Sequence, residues 1–230
     1  MIGHPEETIE DVQAIVNLCK AVLAEGQKIL GGKANVNVGV STFIPKPHTP
    51  FQWVPQDTSA QILEKQALLK KELRGNGLHL RWNDLDGTRF EGWMSRGDRR
   101  IADVVERAWE LGCQFDAWQD GHKHHLWLQA FDELNMTPDF YNHRTRGDAE
   151  IFPWEHIDVA VHKKFLLEDY KMSLNLEERV DCRDKCFACG ILPKFTKIRS
   201  ETEDMQWECP PVKPIKDRMK NKAPNVLLMD

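Results

Sequence analysis

Val36-Asn37-Val38-Gly39-Val40-Ser41 sets valines at every second position with small or polar residues between them. A period of two marks a β-strand with one apolar face, because successive side chains point to opposite sides of the pleat. Gly31 and Gly32 precede this stretch, and Pro45, Pro47 and Pro50 follow it. The strand therefore starts after a turn and opens into a stiff loop. Its second face, made of Asn37, Gly39 and Ser41, is small and polar enough to line a site.

The flanking sequence extends this strand into a repeating pattern. Upstream, Thr8 caps a helix with Asp11 three residues on, and Ile9, Val12, Ile15, Val16, Cys19, Val22 and Leu23 recur at helical spacing as far as Gly26. Residues 1–5 read as the exit from a strand that is only partly present, so a truncated chain is expected. Downstream, Ile62, Leu63, Leu69 and Leu73 predict the buried stripe of a helix over 58–74, stopped by Gly75. Leu78-His79-Leu80-Arg81-Trp82 alternates again. The order helix, strand, helix, strand fits βα units of a parallel sheet or barrel, and hence an α/β fold.

From Gly97 on, the pattern is helical. Ile101, Val104, Val105, Ala108 and Leu111 share a face, with Asp98 as the expected cap and Gly112 as the stop. Further helices are predicted over 121–134 and over 157–171, the latter through Ile157, Val161, Phe165 and Leu166. The expected organisation is a βα portion over 1–90, a mainly helical extension over 91–200 and a basic, weakly ordered tail over 201–230. In that tail Lys213, Lys216, Arg218, Lys220 and Lys222 face a single Asp217.

Composition excludes several classes. The chain has 230 residues, 41% of them apolar, which is enough for a real core, and a net charge of −5 that argues for neither a nucleic-acid scavenger nor a membrane-surface binder. No stretch approaches the roughly 20 apolar residues a membrane helix needs. Glu6, Glu7, Glu10 and Asp11 are incompatible with a signal peptide, so a cytoplasmic protein is expected. In a reducing compartment, clustered cysteines point to metal or cluster ligation rather than to disulfides.

Cys182, Cys186 and Cys189 form such a cluster, with C-x3-C-x2-C spacing. Three soft thiolates suit an iron–sulfur cube or zinc. A structural zinc site needs a fourth ligand, and Cys209 is the leading candidate, with His162 or another of the nine histidines also possible. Arg96, Arg99 and Arg100 flank a helix start, where guanidinium forks and backbone N–H groups favour an anion; the plainer reading is a solvated start paired with Asp98 and Asp103. His122, His124 and His125 read as an exposed polar turn rather than a chelate, and Cys19 and Cys113 as core residues.

Several longer stretches resemble a known family. Met1-Ile2-Gly3-His4-Pro5-Glu6-Glu7-Thr8 is similar to the end of a middle barrel strand in radical S-adenosylmethionine (SAM) proteins. Phe43-Ile44-Pro45-Lys46-Pro47-His48-Thr49-Pro50-Phe51-Gln52-Trp53 resembles a segment of the branch that carries a cobalamin-binding domain. Residues 95–100, 152–158 and 182–190 resemble later signatures of that branch, so the likeness covers about residues 1–190. It departs at His4, where the family has Leu or Phe, and at Ile191, near which a further cysteine is expected.

The resemblance implies the C-terminal part of a partial radical SAM (β/α) barrel, followed by a helical extension with an accessory 4Fe–4S or zinc site. Asn37, Gly39, Ser41, Lys46 and His48 would lie at strand ends that contact SAM or substrate. The parent enzyme would cleave SAM to a 5′-deoxyadenosyl radical, with cobalamin a possible second cofactor and the substrate unknown. The family's SAM-cluster motif follows the first barrel strand, whereas the cysteine trio here lies near the end of the chain. The isolated chain is therefore expected to depend on a missing N-terminal half for radical chemistry. The rival expectation is a zinc-stabilised binding module that contacts RNA or a protein partner.

Overall fold

The computed structural model describes residues 1–75, 77–116 and 121–201. Helix α1 (Ile9–Leu30) begins with the expected capping box: the Thr8 N–H donates to Asp11 Oδ2 at 2.8 Å, and the Asp11 N–H donates to Thr8 Oγ1 at 3.2 Å. It runs through Gly26, where a stop was expected. A lone glycine costs a helix only about 1 kcal/mol. The actual stop is Gly31, at a φ of 57°.

Strand β1 (Val36–Val40) pairs in parallel with β2 (Leu78–Trp82), from Val36 opposite Leu78 to Val40 opposite Trp82. A third segment joins on the far edge. The Val36 N–H faces Gly77 beside β2, whereas the Ser41 carbonyl and Phe43 N–H, of opposite parity, bond Ile2 at 2.9 and 2.7 Å. Since backbone groups alternate sides along a strand, Ile2 lies across β1 from β2, in a parallel bridge to Thr42. The fold class is α/β, with α1 and α2 (Ser59–Glu72) as the connections between parallel segments. Ile2, Val12, Val16, Val38, Val40, Ile62, Leu69 and Leu73 form the core between strands and helices.

Helix α2 carries a correction. Leu63, expected in the buried stripe, is 52% exposed, and Lys65 is buried in its place. Lys65 Nζ lies 2.7 Å from Glu7 Oε2 and 2.8 Å from Asp57 Oδ2, so its charge is matched where it enters the core edge.

Four helices follow: α3 (Leu85–Arg96), α4 (Ile101–Glu110), α5 (His124–Glu133) and the short α6 (Asp139–Asn142). Sequence periodicity did not predict α3, whose buried residues are Thr88, Gly92, Trp93 and Arg96. Its start is nonetheless marked by Asp84, which accepts the Gly87 N–H at 2.8 Å. Trp93, Ile101, Val104, Ala108, Trp127, Phe131 and Tyr141 make a second core. Val105 stays 42% exposed, and the Asp98 carboxylate both accepts the Arg100 backbone N–H at 3.0 Å at the start of α4 and pairs with the Arg100 side chain. His124 is not the exposed residue expected. Its ring stacks on Trp93 at 5.4 Å, and it lies 3.3 Å from Asp86 and 3.2 Å from Arg89.

Among the described residues the chain divides into two compact units. The first holds Met1–Pro47 and Gln52–Pro153; the second holds His48–Phe51 and the residues from Trp154 on. The second unit contains α7 (Lys163–Leu174) and the short α8 (Ile191–Lys194) and α9 (Thr196–Glu201). Helix α7 starts later than the expected residue 157, because a turn at Trp154 to Ile157 and a left-handed Ala160 (φ 63°) come first. No helix among the described residues is long and apolar enough to cross a membrane.

Two outcomes follow from this packing. Replacing Lys65 with Met leaves two carboxylates facing each other without their cation, and should cost about 3–5 kcal/mol in urea unfolding followed by circular dichroism. Leu63→Ala should stay within about 0.5 kcal/mol of wild type. For His124, burial is the main force holding the imidazole below its ordinary range; Asp86 opposes it and Arg89 adds to it. The native state then binds fewer protons than the unfolded one. The contribution is fully present above the unfolded pKa of about 6.5 and is lost as pH falls through the lower folded value. His124→Gln should accordingly lose less stability than wild type between about pH 7.5 and 5.5, and equal losses in the two proteins would refute this account.

Candidate functional site

The outer face of β1 and the loop that follows it carry the residues expected to line a site in the first unit. Asn37 and Gly39 are exposed, on the face of β1 opposite buried Val38 and Val40, and a side chain added at Gly39 would meet no atom within 4 Å. That face is open beside a small residue. Ser41 is half-buried, with its carbonyl occupied by the Ile2 N–H. Beyond it, the proline-rich loop is tied to α3: Lys46 forms an ion pair with Glu91, and the buried Arg96 donates from Nη1 to the Pro45 carbonyl at 3.5 Å. His48 belongs to the second unit and has a left-handed φ of 56°.

The Gly3-His4-Pro5-Glu6-Glu7 turn is built around a carboxylate. Glu7 Oε2 accepts the Gly3 N–H at 2.7 Å as well as facing Lys65. Gly3 has a φ of 83°, and a Cβ there would sit 2.8 Å from Ile62, so only glycine fits both the turn and α2. Burial alone would lower the Lys65 pKa, but hydrogen bonds to Asp57 and Glu7 outweigh it and hold the ammonium above its ordinary range. This ion triad escaped the sequence reading because a lysine inside an apolar helical stripe gives no signal until its acidic partners are known.

Arg96, Arg99 and Arg100 do not share one surface. Arg96 is 1% exposed, whereas Arg99 and Arg100 are exposed. The Arg100 fork is engaged by Asp98, with Nε at 3.0 Å and Nη2 at 2.6 Å, and its guanidinium lies 5.6 Å from the Phe140 ring. Hydrogen bonds from Arg100 hold the Asp98 carboxyl below the usual range, more than offsetting its partial burial. The paired helix start foreseen as the plainer reading is what Asp98 and Arg100 form. Arg96 Nε and Nη2 have no hydrogen-bond partner among the described residues.

In the second unit the three cysteines differ in setting. Cys186 is buried, Cys189 half-buried and Cys182 exposed. Cys186 Sγ accepts the Ala188 N–H at 3.5 Å, and Ala188 and Gly190 take left-handed φ values of 54° and 114° on either side of Cys189. Cys182 lies on a turn in which Asp181 binds Arg183 through 3.0 and 2.8 Å contacts. Arg179 fastens the loop to α7, with its guanidinium 4.9 Å from both the Phe165 and Phe187 rings. Among the described residues no three ligand side chains are gathered closely enough to hold a metal ion. The donor set still suits a soft metal, with two sulfurs in one tight turn and a third four residues away. Cys209 and the basic residues 213–222 lie outside the described residues.

No protein-family model matches the chain, and no solved structure matches it. Over 106 residues it is 29% identical to a protein of Methanocaldococcus jannaschii described as uncharacterized. The aligned stretch is 46% of this chain and 22% of that relative, so the match spans about a fifth of the relative's length.

Proposed function

We propose that the first unit forms the C-terminal strand-end wall of a radical SAM barrel and contributes to binding SAM or the substrate. The observation that carries this reading is the parallel arrangement of Ile2, β1 and β2, with helices as connections and the polar face of β1 left open. In α/β folds ligands bind at the carboxyl ends of parallel strands, and of the segments that resemble the family, residues 1–8 include the Ile2 bridge and residues 43–47 follow β1 directly. SAM supplies the 5′-deoxyadenosyl radical when a reduced 4Fe–4S cluster cleaves it.

The residues of this chain would do the positioning. Asn37 offers an amide that can both donate and accept, Ser41 a hydroxyl, and Gly39 the space for a flat group to lie against the backbone. Lys46 stiffens the loop through Glu91. The described cysteines of this unit are Cys19 on α1 and the buried Cys113, which make no cluster trio. Radical generation therefore rests with residues outside this unit.

A second reading starts from the Cys186 turn, whose N–H contact to sulfur favours a bound metal. In it the second unit is a zinc-stabilised module that contacts RNA or a protein partner.

Calorimetric titration of the full chain with SAM separates the two. The first reading expects saturable binding tighter than about 1 mM, worth about −4 kcal/mol, and no 5′-deoxyadenosine after addition of a strong reductant. Gly39→Val fills the open face with a strand-favouring side chain, so it should fold normally and bind SAM at least about tenfold more weakly, a loss of about 1.4 kcal/mol. Absence of saturation at several times that concentration, or an unchanged affinity in Gly39→Val, would overturn it.

A further inference from the structure

We propose that His162 is the fourth protein ligand of a zinc site formed with Cys182, Cys186 and Cys189. The proposal rests on reading the cysteine trio as a metal site, and it assigns both the remaining ligand and the metal.

His162 is joined to the cysteine loop at two points. Its backbone N–H donates to the Cys189 carbonyl at 2.8 Å, which fixes the two chain segments side by side. Its ring lies against Gly190: a Cβ built there would be 2.9 Å from Cδ2 and 3.0 Å from Nε2 of the imidazole, and 2.7 Å from the Ala160 carbonyl. Any side chain at position 190 would push the imidazole away. Glycine at this position therefore does two things, adopting a φ of 114° and admitting the ring edge next to Cys189.

The loop itself carries a cost that a ligand would explain. Ala188 is left-handed at a φ of 54°, a conformation that costs a non-glycine residue about 1–3 kcal/mol and persists where the surroundings over-determine it. In this conformation the Ala188 N–H points at Cys186 Sγ, an orientation that stabilises sulfur most when it is a metal-bound thiolate. Lys185 lies 5.4 Å from the Phe187 ring, a positive charge on a loop that would carry thiolates, whereas Arg179 is paired with Glu168 and Asp169.

His162 thus lies beside Cys189, and Cys186 and Cys182, three and seven residues earlier on the same loop, would have to draw in to complete the site when the metal binds, since among the described residues no three ligand side chains are gathered without it. Three thiolates and one imidazole make a closed tetrahedral set, the chemistry of structural zinc rather than of an iron–sulfur cube held by cysteines alone. The thiols lose their protons to solvent as the metal binds, and no electron is transferred.

Anaerobic titration of the chelator-treated full chain with cobalt(II), followed by competition with zinc(II), tests this. Wild type should bind one cobalt with tetrahedral d–d bands and a sulfur-to-cobalt charge-transfer band of three-thiolate intensity. His162→Ala should weaken binding by at least about tenfold while keeping that intensity per bound cobalt, and His162→Cys should restore tight binding and raise the band to four-thiolate intensity. Cys209→Ser should change neither. Wild-type affinity in His162→Ala, or loss of affinity in Cys209→Ser instead, overturns the assignment of His162 but leaves the cysteine trio as a metal site. Stoichiometric iron and sulfide in the protein as purified overturn the choice of zinc. No stoichiometric cobalt in wild type, with Cys186→Ser indistinguishable from it, overturns the trio and the proposal together.

Discussion

Strand β1 is hydrogen-bonded along both edges, to β2 on one side and to the Ile2 segment on the other. That double pairing orients everything else in the βα portion. It aims Val38 and Val40 into the core with Val12, Val16 and Ile62, and by the two-residue period it must aim Asn37 and Gly39 the other way. A register slip of one residue would bury Asn37 and expose the valines. The outward aim of Asn37 and Gly39 is therefore a consequence of the core.

Buried charge is handled differently at Lys65 and at Arg96. Lys65 meets two carboxylates, one of which also receives a backbone N–H from the turn that leads into α1, so the ion pairs lock α2 to the end of the Ile2 segment. A buried charge is tolerable when its partners are this close. Arg96 has a single contact of 3.5 Å with the Pro45 carbonyl. Its guanidinium holds the proline-rich loop by position more than by strength, since a bond of that length contributes little.

What was legible in the sequence divides along the same physical line. Thr8 with Asp11 and the alternating valines are local signals, and each appears in the structure, as a capping box and a strand face. Residues whose role depends on a distant partner were misread. Lys65 takes the inward position because Glu7 and Asp57 wait there, and Leu63, two residues earlier on the helix, faces out although it is apolar. Helix α3 was missed because its buried side is Thr88, Gly92, Trp93 and Arg96, a set without an apolar period. His124 gave no sign that Trp93 would cover it. The cysteine spacing is visible in the sequence, whereas the nearness of His162 to Gly190 depends on a turn at Ala160 that no pattern marks.

The two units are also held together by different means. The first has two apolar clusters, each with eight or more buried residues. Among the described residues of the second, α7 buries only Leu166, and the other buried apolar side chains are Trp154 and Cys186. Its contacts include surface ion pairs and rings under guanidinium groups, such as Arg179 over Phe165 and Phe187. Exposed pairs of this kind contribute about 0–1 kcal/mol each. A segment with so little apolar area among its described residues gains most from bonds that do not depend on area. If the cysteine loop holds a metal as proposed, its metal–thiolate bonds would be of that kind, standing in for the hydrophobic residues of a larger core.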